Sequence, residues 1–455
     1  MKKIFLSLVA VCVACGAMAQ SFTSYYMPDA IERTNLNVAF APERGYVSIP
    51  FVGSMSLNVN GNLSVSSIVY QDGTDMVSFM DSSVSAADAL GNLSEGANFM
   101  SVSNRLNLLN FGGYFKNHRD FWTFNLSLRT NASYNLPYEF FEFAKLGKTS
   151  NISDMGIYAE SFVDAGFGYS KMVSEKLTVG GRFKFLVGLA SASANISKFN
   201  VKMDSDEWMV DMVGELDVYG AGVTNDGIVG QEFDTDDISM SGFSPAGLGA
   251  AIDLGAEYAY TKQLRFSLAV NDLGFIKWSD KNCASAAMAT TKTFSGIEID
   301  GSGNVETPDF SFDDLTFNNT EAESTTRFMQ ANINAGVEYR LFDELLNVGA
   351  LYTAQFWYSK TMHNITASAH VRPLSWCTVA TSYSFVNNRG GSVGFALNLS
   401  PSWFNLYLAT DILTSKKSAQ YVPINQSNMS VSLGLAVPLG QRSLRSKYTK
   451  WTVEE

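Results

Sequence analysis

Cysteine is almost missing from this 455-residue chain: there are four, and Cys12 and Cys15 lie at its very start. Only Cys283 and Cys377 come later, too few for a disulfide framework. Proline is scarce at 10, and charged residues make up 17% against the roughly 25% of an average soluble domain. Positive charge is in deficit, with 32 Lys and Arg against 44 Asp and Glu for a net −12, which argues against nucleic acid as a partner. Beyond the N-terminus no run approaches 18 consecutive apolar residues, so no transmembrane helix is predicted. What remains is 46% hydrophobic and rich in Gly (36), Phe (32) and Tyr (19). That excludes a disordered or fibrous chain and suits membrane β-structure.

Met1-Lys2-Lys3, the apolar run Ile4 to Ala14 and then Ala17-Met18-Ala19 read as a signal peptide over residues 1–19, with cleavage after Ala19 and export as the consequence. Cys12 and Cys15 fit a lipidation box badly. Downstream the dominant period is two. Met55, Leu57, Val59 and Leu63 alternate with Ser and Asn from Phe51 to Val65, predicting one continuous strand. Trp122, Phe124, Leu126 and Leu128 alternate with Thr123, Asn125, Ser127 and Arg129, and similar runs recur as far as Met429 to Val437.

The connections fall into two classes. Short turns are expected at 116–120, 171–175, 261–263, 342–344, 373–376 and 400–403. Long excursions are expected at 71–103, 132–159, 191–246, 272–328 and 412–427, with shorter ones at 358–362 and 387–391. Short turns on one face and long loops on the other distinguish an outer-membrane barrel from a soluble sandwich. The strands alternate up and down without a miss only if the strand-like stretch Trp208 to Tyr219 lies within an outer excursion. The count is then fourteen, an even number that leaves both termini on the short-turn, periplasmic side. Trp122, Tyr169, Tyr258, Tyr339, Trp376 and Trp403 lie beside short turns, as an interfacial girdle requires. The predicted fold class is therefore all-β, an antiparallel transmembrane barrel over 46–438 with long extracellular loops, contacting outer-membrane lipid. Residues 20–45, without a sustained period, are either a plug entering the lumen or a leader, and 439–455 form a periplasmic tail.

Three stretches carry a resemblance: Ala41-Pro42-Glu43-Arg44-Gly45-Tyr46-Val47-Ser48-Ile49-Pro50, then Leu177-Thr178-Val179-Gly180-Gly181-Arg182-Phe183-Lys184, and Ala251 to Tyr258 followed by Val270-Asn271-Asp272-Leu273-Gly274-Phe275-Ile276-Lys277-Trp278. Together they resemble an uncharacterised family of outer-membrane barrels from Bacteroidota. That family is similar to the FadL-type group, which includes long-chain fatty-acid channels and the barrel shuttle of type IX secretion. The resemblance implies a fourteen-stranded barrel with an N-terminal segment able to enter the lumen; it implies no established substrate, catalytic residue or cofactor.

A fourteen-strand lumen needs contents. The inward candidates are Arg129, Arg182, Lys184, Asp253, Glu257, Arg265, Asn271, Glu338, His370 and Arg372. Depth along adjacent strands predicts the charge pairs Arg182 with Asp253 and Glu257 with Arg265. They serve either to satisfy polar groups in a plugged barrel or to form a constriction that selects by charge. Gly112 and Gly113 mark a possible strand kink. Acidic runs at Asp234 to Asp237 and from Asp300 to Asp314 match no complete calcium loop and read as solvated surface, so no metal is assigned. His118, His363 and His370 are too dispersed for one site, and His363 has no evident catalytic partner, so no enzyme is expected. Cys283 and Cys377 are expected on opposite sides of the membrane and unpaired. Two functions follow: a FadL-like channel for small hydrophobic or amphipathic molecules, or a scaffold or shuttle docking a surface or secreted protein. A continuous apolar pocket in the lumen favours the first, a blocked polar lumen with ordered outer domains the second.

Overall fold

The computed structural model describes residues 22–440 apart from 64–66, 73–74, 92, 117–118, 148–149, 204–206, 296–297, 300–304, 307–315, 343–344, 357–360, 387–388 and 414–427. The signal peptide, the tail beyond 440, His118 and most of the Asp300 to Asp314 run lie outside the described residues. Fourteen antiparallel strands close on themselves. In chain order they are β1 (Gly45–Ser48 and Met55–Gly61), β2 (Ala97–Tyr114), β3 (Phe121–Pro137), β4 (Met155–Met172), β5 (Leu177–Met203), β6 (Gly247–Ala259) and β7 (Leu264–Trp278). They continue as β8 (Asn332–Leu341), β9 (Leu346–Phe356), β10 (Thr361–Leu374), β11 (Cys377–Val386), β12 (Arg389–Leu399), β13 (Asn405–Leu413) and β14 (Asn428–Leu439). Closure comes from β1, which pairs with β2 on one side and β14 on the other, as in Met55 opposite both Leu106 and Leu433.

The period of two places polar residues inside. On β3 the buried positions from Phe121 to Asn131 are Phe121, Thr123, Asn125, Ser127, Arg129 and Asn131, while Trp122 between them is exposed. Outward-facing Phe167, Phe183, Leu254 and Leu268 are each more than half exposed. In water each such side chain would forgo about 1.5 to 3 kcal/mol of burial, so this face requires an apolar surrounding, which a soluble sandwich lacks. The six girdle aromatics, Trp122 to Trp403, all point outward near the short-turn end.

The strand-like stretch after β5 does lie outside the ring. The lower part of β5, Leu177 to Gly188, pairs with β6, and its upper part, Ala190 to Met203, pairs instead with the strand Glu207–Gly220. That strand in turn pairs with Cys283–Ser295, building an outer lobe. At about 3.3 Å per residue, the 27-residue β5 is roughly 85 Å long, about two and a half times what a tilted strand needs to cross a bilayer. Several strands likewise run further outward than the sequence pattern indicates, as β2 begins at Ala97 and β3 ends at Pro137.

Two local expectations require correction. Phe51 to Val65 is not one continuous strand: β1 is interrupted over 49–54, where Phe51 takes a positive φ of 65° and Gly53 folds back to donate to the Ile49 carbonyl at 2.6 Å. The pairing sum against β2 changes across the break, from Val47 with Phe111 to Met55 with Leu106, so the extra residues leave the ladder. Alternation survives because the inserted loop returns the chain with its apolar face outward. Conversely, the ladder runs unbroken through Gly112 and Gly113, and the β2 irregularity falls between Asn107 and Leu109.

Candidate functional site: the filled lumen

Residues 22–40 lie inside the barrel, where Tyr25, Met27, Ala30 and Asn37 are fully buried. Two short 3-10 turns, Phe22–Ser24 and Ile31–Asn35, fold the segment, and wall side chains bind its backbone. Asn271 and Asn334 both donate to the Leu36 carbonyl at 2.9 Å, and Asn405 donates to the Asp29 carbonyl at 2.8 Å. Arg182 donates to the Thr34 carbonyl at 3.1 Å, and His370 Nε2 lies 2.9 Å from the Thr23 carbonyl, which can only accept, so this nitrogen carries the proton. Thr23 hydroxyl donates to Asp411. Near the short-turn end Arg372 holds Asp29 at 2.8 Å and Glu43 at 2.9 Å. The wall is thinned to admit the segment: a Cβ on Gly255 would collide with Asn37 Oδ1, and one on Gly349 with the Tyr26 ring.

Mid-barrel, a network of paired charges crosses the wall. Arg182 lies 3.4 Å from Asp253, its register partner on β6. Lys184 holds Asp253 at 2.7 Å and Asp272 at 2.6 Å, and Arg129 holds Asp272 at 2.7 Å. Asp164 sits 3.7 Å from both Arg105 and Arg129. All of these side chains are at most one-tenth exposed, so each charge depends on its partners in place of water. Separate from this group, Glu257 and Arg265 lie 3.2 Å apart, and Glu338 contacts Arg340 at 3.1 Å.

The ten sequence candidates thus divide. Arg129, Arg182, Lys184 and Asp253 form the central network; Asn271, His370 and Arg372 grip the inner segment; Glu257, Arg265 and Glu338 form pairs lower on the wall. Asp164, Asp272 and Arg105 were missed. Asp164 and Arg105 are lone charges at inward positions of apolar runs, a readable signal. Asp272 is not readable by parity, because Asn271 already faces inward. A bulge between the Ile252 and Leu254 pairings gives Asp272 a φ of 60°, which turns its carboxylate into the lumen beside Asn271.

Above the segment lies a cavity of about 60 Å³ whose lining residues are all polar, among them Asn35, Ser56, Asn58, Arg105, Gln330 and Gln355. Elsewhere the chemistry-bearing residues stand apart. His363 faces outward at the long-loop end, bonded and stacked to Tyr352, with ring Nδ1 2.8 Å from the phenol oxygen. Asp234 accepts from the Asp236 N–H at 3.0 Å and caps a short turn. Cys283, buried in the outer lobe, and Cys377, at the start of β11, are both free thiols.

The model of a family of unknown function (DUF5723) matches residues 39–411. No curated protein matches the chain. Among solved structures, the Ralstonia pickettii toluene transporter TbuX is similar at 12% identity, covering 94% of this chain and 99% of that one with a TM-score of 0.44. The Pseudomonas putida toluene transporter TodX, at 10% identity, covers 93% and 94% with a TM-score of 0.41. A Pseudomonas aeruginosa FadL homologue, at 8% identity, covers 93% and 97% with a TM-score of 0.41.

Proposed function

This chain belongs to the DUF5723 family, and we propose that it is an outer-membrane transport barrel whose lumen is closed by residues 22–40 and opened when that segment shifts. The observation that carries the reading is how the lumen is filled. In small barrels wall side chains meet and leave no path. Here the filling is a separate stretch of chain, bound through its backbone carbonyls by Asn271, Asn334, Asn405 and Arg182. Such bonds exchange for water at a net cost of about 1 kcal/mol each and come from wall side chains, so releasing them breaks no hydrogen bond of the strand ladder. Outer-membrane residence rests on the apolar outward face, the aromatic girdle and the contrast between short turns and long loops. The resemblance to the FadL-type group implies a small hydrophobic or amphipathic cargo, and the polar cavity above the segment favours the amphipathic class.

Docking of a surface or secreted protein is the second reading. One observation favours it: the lumen is blocked and polar, and the outer lobe is built of paired strands. Flux separates the two. Proteoliposomes containing the barrel without residues 22–40 should admit small amphipathic solutes faster than those with the full segment; equal, background rates in both would favour docking.

A further inference from the structure

Arg105 is the cation of the central network with the least compensation. Its residue is nine-tenths buried, yet its nearest carboxylate is Asp164 at 3.7 Å, beyond hydrogen-bond reach and shared with Arg129. Asp272, the other carboxylate at the cavity wall, is engaged by Arg129 and Lys184. A guanidinium offers five N–H donors in a planar fork that matches a carboxylate. Those of Arg105 border the 60 Å³ cavity. Two amide side chains, Gln330 and Gln355, also line that cavity. Each amide offers a donor and an acceptor, and Ser56 and Asn58 complete a wall that can do both.

We propose that this cavity binds a small hydroxylated organic acid, with Arg105 taking the carboxylate and the Gln330 and Gln355 amides taking hydroxyl oxygen and hydroxyl proton. Size supports the class: the 60 Å³ space is several times the roughly 10 to 15 Å³ a single water requires, room for a small molecule and not for a long chain. Polarity sharpens it, since an alkyl chain here would leave buried amides and a guanidinium without partners. Charge favours an acid over the neutral polyol, because the Arg105 fork makes no carboxylate hydrogen bond among the described residues, Asp164 standing 3.7 Å away. The proposal rests on the transport reading and narrows its amphipathic cargo to the most polar members, while the site itself stands on the cavity.

The test uses the detergent-purified, full-length folded barrel, with lactate as probe and glycerol as the neutral molecule of similar size, read by saturation-transfer NMR titration. Lactate should bind, glycerol should bind at least tenfold more weakly, and Arg105→Gln should weaken lactate at least tenfold. Gln355→Leu, which removes the amide while leaving Arg105, should do the same if Arg105→Gln fails to give a heat-modifiable barrel. Equal binding of lactate and glycerol, or lactate binding unchanged by the folded variant, would show a water-filled void only and overturn the site. Lactate flux into proteoliposomes separates the two proposals: binding without flux keeps the site and removes transport, whereas flux insensitive to Arg105→Gln removes the site and keeps transport.

Discussion

Asp253 accepts the backbone N–H of Asp272 at 2.8 Å, and both carboxylates grip Lys184. The bulge in β7 is therefore held by the network it completes: the bond fixes the turned backbone, and the turned backbone delivers the second carboxylate. Asp272→Ala leaves Lys184 with one partner and Arg129 with a distant one. Stability should fall by about 3 to 5 kcal/mol, as for other broken buried ion pairs. Urea titration of the detergent-folded barrel measures this; a loss under 1 kcal/mol would show that water replaces the carboxylate.

Gly255 admits Asn37 of the inner segment. Gly255→Val should expel the segment without breaking β6, since valine favours strands. Limited proteolysis of the folded variant should then cut between residues 22 and 44, where the parent is protected. Continued protection would place the segment's hold elsewhere.

Much of this architecture was legible in the sequence, and the exceptions have physical causes. Turn chemistry and the girdle aromatics gave the path because they report where a strand meets the interface. Parity gave the inward residues, including Arg182 and Asp253, because side chains alternate strictly in an unbroken ladder. Parity fails where the ladder does. Asp272 sits at a bulge, and the break at 49–54 hides behind an apolar pattern that resumes in phase. Inward glycines such as Gly255 and Gly349 carried a signal for the inner segment, but glycine is too common in strands for the pattern to be read without the opposing ring or amide.

The hairpin formed by upper β5 and Glu207–Gly220 belongs to the outer lobe. Ala190 and Gly220 are cross-strand partners, so an Asn-Gly turn can replace residues 191–219. The shortened chain should still form a heat-modifiable barrel. Failure to fold would mean that the outer ladder is required to assemble the wall.

Burial pushes the Cys283 thiol above its ordinary range, with Asp217 adding to the effect. A raised value means less thiolate at neutral pH, so maleimide labelling of Cys283 in the folded barrel should be slow and should climb with pH through 9 without a plateau. Fast labelling at pH 7 would mean that the outer lobe opens.

The central claim is that residues 22–40 close the lumen and move to open it. Thr23 and Ser382 offer a tether, because their hydroxyl oxygens lie 2.6 Å apart. The double variant Thr23→Cys with Ser382→Cys, made with Cys283→Ser and Cys377→Ser, locks the segment to β11 when oxidised. Planar-bilayer conductance should be abolished in the oxidised form and restored by reductant. Equal conductance in both redox states would contradict the account.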